Sequence, residues 1–484
     1  MTETAEVWVP LVQQMMDRNA YMTNMWEYYM AEQDLPLDTN ELSSKFGINF
    51  ANFRDNLARP IIDSAESRVR IQDITPNENA LKIWKRNEMP AESKLVHTDA
   101  MVMGQSYVIV FPDDESEGNV AGIWPQQSRN CAIEYSEINP RKKVAAMKFW
   151  SEQMATPGGI EYDTEQANGE WKVRVNVYFD DRIERFISTR SGRTITKNFD
   201  NYEYYTGDGG DAIQRHDLDE VPMFEFRANW DMTSQASRSD LEDAAPLIDA
   251  INKTFLDMMV ASEYTAAPQR WATGVEIPLD PSTGKPIQSY ASGADQLWTA
   301  ANEQAKFGQF APGALQSYRS AIDALVDHLV YVSRTPKYEL GGENKNSSGE
   351  NLRLTENPLR SRVSDHQKAF NSTWQKVIAL ALSIEGSTED FWDIDLLWLP
   401  PNAPFATMER LEEMKLKVEV LGIPQEQAWK EMGYTMDEIE VMKEQREEEV
   451  LIEVEAANTA AQNSLSSLDN PAVETTTGGL AAEF

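Results

Sequence analysis

The sequence holds a single cysteine, Cys131, among 484 residues, which excludes an intramolecular disulfide framework. Its four histidines, His97, His216, His328 and His366, are scattered, so no zinc-type Cys/His spacing can be drawn and no metal or other cofactor is expected. No apolar run approaches the roughly 18 residues of a membrane-crossing helix. The opening Met1-Thr2-Glu3-Thr4-Ala5-Glu6 is acidic where a secretory leader is basic. These absences predict a soluble cytosolic chain. Basic residues are scarce too: 44 Lys and Arg stand against 79 Asp and Glu, a formal charge of −35. That balance opposes any partner gripped through its phosphates. It allows passage of a duplex, because a like-charged wall keeps the polyanion off the surface and lowers sliding friction. On composition alone, a solvated acidic surface is the favoured account of it.

What is present is enough to fold. Hydrophobic residues make up 41% of the chain, including 13 Trp, far from the composition of a disordered protein. At about 100–200 residues per domain the length predicts two to four structural units. Helical periodicity opens the chain through Val9, Val12, Met16, Tyr21 and Met25, and returns at Asn49–Ser67 and Asn77–Met103, with a strand at Val69–Ile71 between them. From Gln105 to Arg227 the period shortens to that of mostly antiparallel strands, with Asp180-Asp181 at an expected hairpin turn. Ser239-Asp240-Leu241-Glu242 fits a capping box before a helix from Pro246 to Tyr264. Leu315–Ser333 predicts a second helix of the same length, stopped by Thr335-Pro336. The Pro- and Gly-rich stretch between them, residues 266–314, is too long for an ordinary connector and too short for a domain. A polar loop at Lys337–Gly349, a long helix ending near Gly386, a strand at Phe391–Trp398, helix from Met408 to Glu455 and a disordered tail from Ala456 complete the reading.

Patterns of catalysis fail one by one. Gly284-Lys285 lacks both the leading glycine, replaced by Leu279, and the following Ser or Thr, replaced by Pro286, of a phosphate loop. Gly104-Gln105-Ser106-Tyr107-Val108 lacks the second glycine of a nucleophile elbow and reads as the entrance to a strand. His97 and His366 fall on helical patterns beside ordinary polar residues and are expected at the surface or in caps. The acid pairs Asp180-Asp181 and Asp208 with Asp211 fit no calcium loop, and among 79 acids such neighbours arise by chance.

The order of elements carries more. Helix, excursion, helix, polar loop and long helix, all following an α/β segment, resembles the portal proteins of long-tailed phages. Tyr28-Tyr29, Ala100–Pro112, Val221–Phe226, Ser239-Asp240-Leu241, Ala250-Ile251-Asn252-Lys253, Ala267-Pro268-Gln269-Arg270, Ser333-Arg334-Thr335-Pro336 and Ser347-Ser348-Gly349-Glu350 are similar to portal segments, in order, across roughly residues 10 to 450. Met30-Ala31 departs from the glycine that often follows the paired tyrosines, and Pro358 implies a kink or a later start of the long helix.

The resemblance implies an α+β, predominantly helical, non-enzymatic subunit of a dodecameric ring around an axial tunnel. It implies a wing over residues 1–238, stem helices over 239–266 and 314–335, a clip over 267–313, a tunnel loop over 336–351, a long wing helix and return strand over 352–403, a crown over 404–455 and a tail over 456–484. Lys337 and Lys345, with Glu343 and Asn344, become candidates to face DNA in the tunnel. The implied partners are terminase, the head–tail adaptor, major capsid and scaffolding proteins and the passing double-stranded DNA, without a membrane. The implied location is the portal vertex of the virion, and the host cytoplasm during assembly. Two other classes stay open on the residues alone: a metal-dependent nuclease or hydrolase built on acids of the β region, and an acidic helical scaffold or adaptor.

Overall fold

In a computed structural model the chain divides into two units, Met1–Pro401 and Asn402–Phe484. The structure describes residues 2–35, 53–113, 119–154, 170–207, 211–266, 270–275, 281–284, 304–309, 314–342, 349–387 and 389–401 of the first unit. In the second it describes 414–432, 434, 438–447, 450–452 and 454. The expected disordered tail and most of the expected clip lie outside these residues.

Helix α1 (Thr2–Met30) is amphipathic along its whole length but serves two cores. Its first half buries Trp8, Leu11, Val12 and Met15 against one face of a large antiparallel sheet, and its second half buries Met22, Met25, Tyr28 and Tyr29 in the main helical core. Pairing follows the order β4 (Cys131–Tyr135), β5 (Lys143–Met154), β6 (Glu170–Tyr178), β7 (Arg182–Ser188), β8 (Tyr202–Tyr204), with β9 (Ile213–Arg215) on the other half of β7. The period of two sorts the side chains of β5: Ala145 and Met147 face α1, while Ala146 faces a smaller core under β2 (Gln105–Pro112). β2 lies between β3 (Ala121–Gln126) and β10 (Met223–Arg227), and β11 (Asn229–Asp231) pairs with β12 (Ala236–Arg238). The hairpin expected at Asp180-Asp181 does join β6 to β7.

The main core gathers helices α2 (Ala58–Glu66), α3 (Glu78–Arg86) and α4 (Met89–Met103), the start of α5 (Ala245–Ala266) and the long α7 (Gly349–Ile384). Between α5 and α7 comes α6 (Leu315–Ser333), and the second unit contributes α8 (Gln425–Met432). Several expectations are corrected. The helix foreseen at Asn77–Met103 is two helices, because Glu88 takes a left-handed φ of 54° between them. Helix in Asn49–Ser67 starts only at Ala58, so that Pro60 falls in the first turn, where its missing N–H costs nothing; residues 49–52 lie outside the described set. The strand near Val69 is β1, running Ile71–Thr75, and it pairs with β15 (Asp395–Trp398), Phe391–Asp393 before it being 3-10 helix. Pro358 neither delays nor ends α7, which begins at Gly349.

One glycine fixes the turn from α4 into β2. Gly104 sits at φ +87°, and a Cβ there would stand 2.5 Å from the Ser237 carbonyl oxygen. Both the conformation and the clash are with backbone, so neither relaxes easily. Gly104→Ala is expected to cost about 3 kcal/mol, read as a shift in the urea midpoint with unchanged slope.

Candidate functional site

Helices α5 and α6 form a hairpin whose near end is built into the first unit. Asp240, in the turn leading into α5, and Ser333, the last residue of α6, meet the same side chain of α7, so the two helices run in opposite directions. That side chain is Arg362, 7% exposed. One guanidinium nitrogen donates to the Ser333 carbonyl, another to the Ile61 carbonyl on α2 at 2.5 Å, and its Nε lies 3.7 Å from Asp240 Oδ2. The Asp240 carboxylate also accepts from His366 Nε2 at 2.8 Å and from Asn229 Nδ2 at 2.6 Å. Burial works to raise its pKa, but His366, Arg362 and Asn229 outweigh burial and hold the carboxyl far below the usual carboxylate range.

Phenols of α1 hold the same end from the other side. Tyr21 donates to Glu242 and accepts from the Ser239 N–H at 2.8 Å, and Tyr28 donates to Asp249 Oδ2 at 2.6 Å. Tyr29 donates to Asp63 on α2. The expected capping box therefore does not close as such: Ser239 Oγ takes the N–H of Leu241, and Glu242 reaches Tyr21 and Arg238 instead of the Ser239 amide. Tyr21 bridges the two residues that would otherwise have met.

Away from this clamp the hairpin is covered much less. Of the α6 side chains only Leu329 and Ser333 are buried, while the stripe residues Ile322 and Leu325 are partly covered and Tyr331 is 84% exposed. At its far end the excursion is drawn together by β13 (Arg270–Thr273) and β14 (Lys306–Gln309), an antiparallel pair.

The polar loop begins under restraint. Lys337 Nζ is 2.6 Å from Asp327 on α6, Tyr338 donates to Glu356 at 2.7 Å, and Glu339 pairs with Arg68 at 2.9 Å. The Gly342 amide closes the turn onto the Lys337 carbonyl at 3.0 Å. Lys337 is thus placed at the foot of the hairpin with a partner already in hand. Glu343, Asn344 and Lys345 lie outside the described residues.

His97 and His366 are not surface residues: they are 0% and 1% exposed. Phe370 is stacked between them, with centroids 5.1 Å from His97 and 5.8 Å from His366. His97 Nε2 accepts from the Trp374 indole at 2.9 Å, which leaves Nδ1 to donate to the Val69 carbonyl at 3.1 Å. That is a neutral ring in a fixed tautomer, and burial pushes its pKa down to about 3. The signal missed in the sequence is spacing: Arg362, His366, Phe370 and Trp374 recur every four residues, one face of α7.

Of the acid pair Asp180-Asp181, Asp181 is held in structure, pairing with Arg182 at 2.8 Å in the hairpin turn. Among the described residues no group of three or more His, Cys, Asp or Glu could hold a metal ion, and no helix is long and apolar enough to cross a membrane.

The chain is 22% identical over 471 residues to the portal protein of Mycobacterium phage D29, covering 90% of this chain and 86% of that one. It is 23% identical over 399 residues to the portal protein of Mycobacterium phage L5, covering 77% and 73%. Among solved structures, the neck of an empty gene transfer agent (GTA) particle aligns over 80% of this chain and 91% of its own, at 12% identity and a TM-score of 0.45. The family model described as "Phage portal protein, SPP1 Gp6-like" matches residues 22–450, and the chain belongs to that family of phage portal proteins.

Proposed function

We propose that this portal protein works as a closed ring of twelve copies at one vertex of a phage capsid, forming the channel for DNA entry and exit. The family match over residues 22–450 carries the reading. The hairpin α5–α6 is its stem, the β13–β14 excursion its clip, which docks the head–tail adaptor, and the helices after residue 403 its crown. The half-covered stripe of α6 supports a ring, because a closed rotational assembly supplies a neighbour to every copy. Twelve copies at −35 carry −420, so the channel repels the duplex and holds it only at a few cations. The chain itself is a passive, non-enzymatic conduit, and a terminase supplies the work of packaging.

Light scattering with negative-stain imaging tests this. The expected result is a ring with a central hole and a mass near 660 kDa, twelve copies of 54.8 kDa. A compact monomer at all salt and protein concentrations would overturn it. Within the ring, Lys337 and Lys345 are the cations proposed to touch DNA. An exposed ion pair such as Lys337–Asp327 is worth about 0–1 kcal/mol, so a passing phosphate can replace Asp327 without straining the fold. The double variant Lys337→Ala, Lys345→Ala is expected to assemble to the same mass but to package less DNA per capsid, measured by DNA recovered from nuclease-treated particles.

A further inference from the structure

The face of the six-stranded sheet that packs on β2 extends past that cover into an open groove. Strands β5, β6 and β7 place Lys148, Asn176 and Arg185 directly opposite one another. At ~4.8 Å between strands this row spans about 10 Å. Across from it stands Trp124 of β3, 40% exposed, and the floor is the edge of the small core at Phe111, Tyr178 and Ile183. The groove has a volume of about 710 Å³, and Asp113 is the only acid along it among the described residues.

The two cations are unusual for this chain. Arg185 donates to the Gln214 side chain and to the Asp211 carbonyl oxygen, both uncharged. Among the described residues Lys148 meets the face of Trp150, 5.4 Å away, and no carboxylate; burial lowers its pKa and only the Cys131 thiol works against that. In a protein with 79 acids and 44 bases, two cations that meet no described carboxylate and face one groove constitute a surface awaiting negative charge.

We propose that this groove binds an extended acidic peptide from another protein, one in which acidic and apolar residues alternate. The geometry selects that pattern. Successive side chains of an extended strand point to opposite sides, so acids at positions i and i+2 face the Lys148–Arg185 row while the residue between them faces Trp124. A groove of about 710 Å³ is far too small to seat a duplex, and the surrounding net charge repels a polyanion more than it repels a peptide with two or three carboxylates. This inference is independent of the ring and of the channel.

The test uses the full chain and a fluorescein-labelled eight-residue peptide with the repeat Glu-Leu-Glu, followed by anisotropy. Saturable binding is expected, about tenfold weaker in each of Lys148→Ala, Arg185→Ala and Trp124→Ala, a loss of roughly 1.4 kcal/mol per tenfold. The doubly reversed variant Lys148→Glu, Arg185→Glu should lose the acidic peptide and gain a Lys-Leu-Lys peptide. Binding that survives the reversal, no binding at all, or tighter binding of a single-stranded oligonucleotide that the same substitutions abolish would overturn the proposal. Loss of self-association in the reversed variant, with no peptide binding by the unaltered chain, would assign the groove to a second copy and overturn it as well.

Discussion

Asp240→Ala is expected to destabilise the first unit by about 3–5 kcal/mol, because it leaves the Arg362 guanidinium buried without its counter-charge and strands the imidazole of His366. Equilibrium urea unfolding followed by tryptophan fluorescence measures this, with Asp240→Asn as the variant that keeps volume and loses only charge. A double-mutant cycle with Arg362→Met separates the pair from its surroundings. If the two side chains act as a unit, the double variant costs less than the sum of the singles by well over about 1 kcal/mol. The pH dependence has a defined sign. The folded carboxyl is held below its unfolded value, so its stabilisation is complete above the unfolded pKa and is lost as pH falls through the folded one. In Asp240→Asn that loss is absent, and the acid limb below about pH 4 should flatten.

His97 predicts a second acid limb at higher pH. Its folded pKa, near 3, lies below the ordinary 6.5, so the unfolded chain takes up a proton first as the solution is acidified. Stability is therefore intact above pH 6.5 and declines from there toward pH 3, by at most about 1.4 kcal/mol per pH unit. Between pH 7 and 4.5 the drop is of order 2–3 kcal/mol from this residue. His97→Gln can still accept from the Trp374 indole and donate to Val69. It should cost about 1 kcal/mol at pH 7 but remove most of the slope between pH 6.5 and 4.5. Unfolding free energies for the two proteins at four or five pH values decide it, and an unchanged slope would show that another group carries the limb. His216, also pushed down by burial, adds to the slope in both proteins and cancels in the comparison.

Much of the fold was legible because its patterns are local. The stripe on Leu315–Ser333 marks a helix whose ends coincide with the observed one, and the runs from Tyr107 to Phe226 alternate as antiparallel strands do. Boundaries set by a single backbone angle, such as the break at Glu88, leave no trace in periodicity. The clamp was hidden for a different reason. Arg362 and His366 lie 122 and 126 positions beyond Asp240 in the chain, and the other partners of Arg362, Ser333 and Ile61, contribute only carbonyls, which any residue has. Ser239-Asp240-Leu241-Glu242 reads as a cap because the local rule fits it, and only the tertiary approach of Tyr21 redirects Glu242. Arg362 and His366, four residues apart on the face that continues through Phe370 and Trp374, were the legible hint, since a charge on an apolar face requires a buried partner.

The α5–α6 hairpin is a cantilever. Helix α5, with 22 residues, is about 33 Å long at 1.5 Å per residue, and its firm attachment is at one end. A sideways push at the β13–β14 tip therefore acts with a long arm on a short root, and the reaction force at that root is several times the push. It passes through Asp240 and Arg362 into α7, a 36-residue rod that packs on β2, β3 and β10. A body with such a root registers bending at its tip as torque on its longest helix.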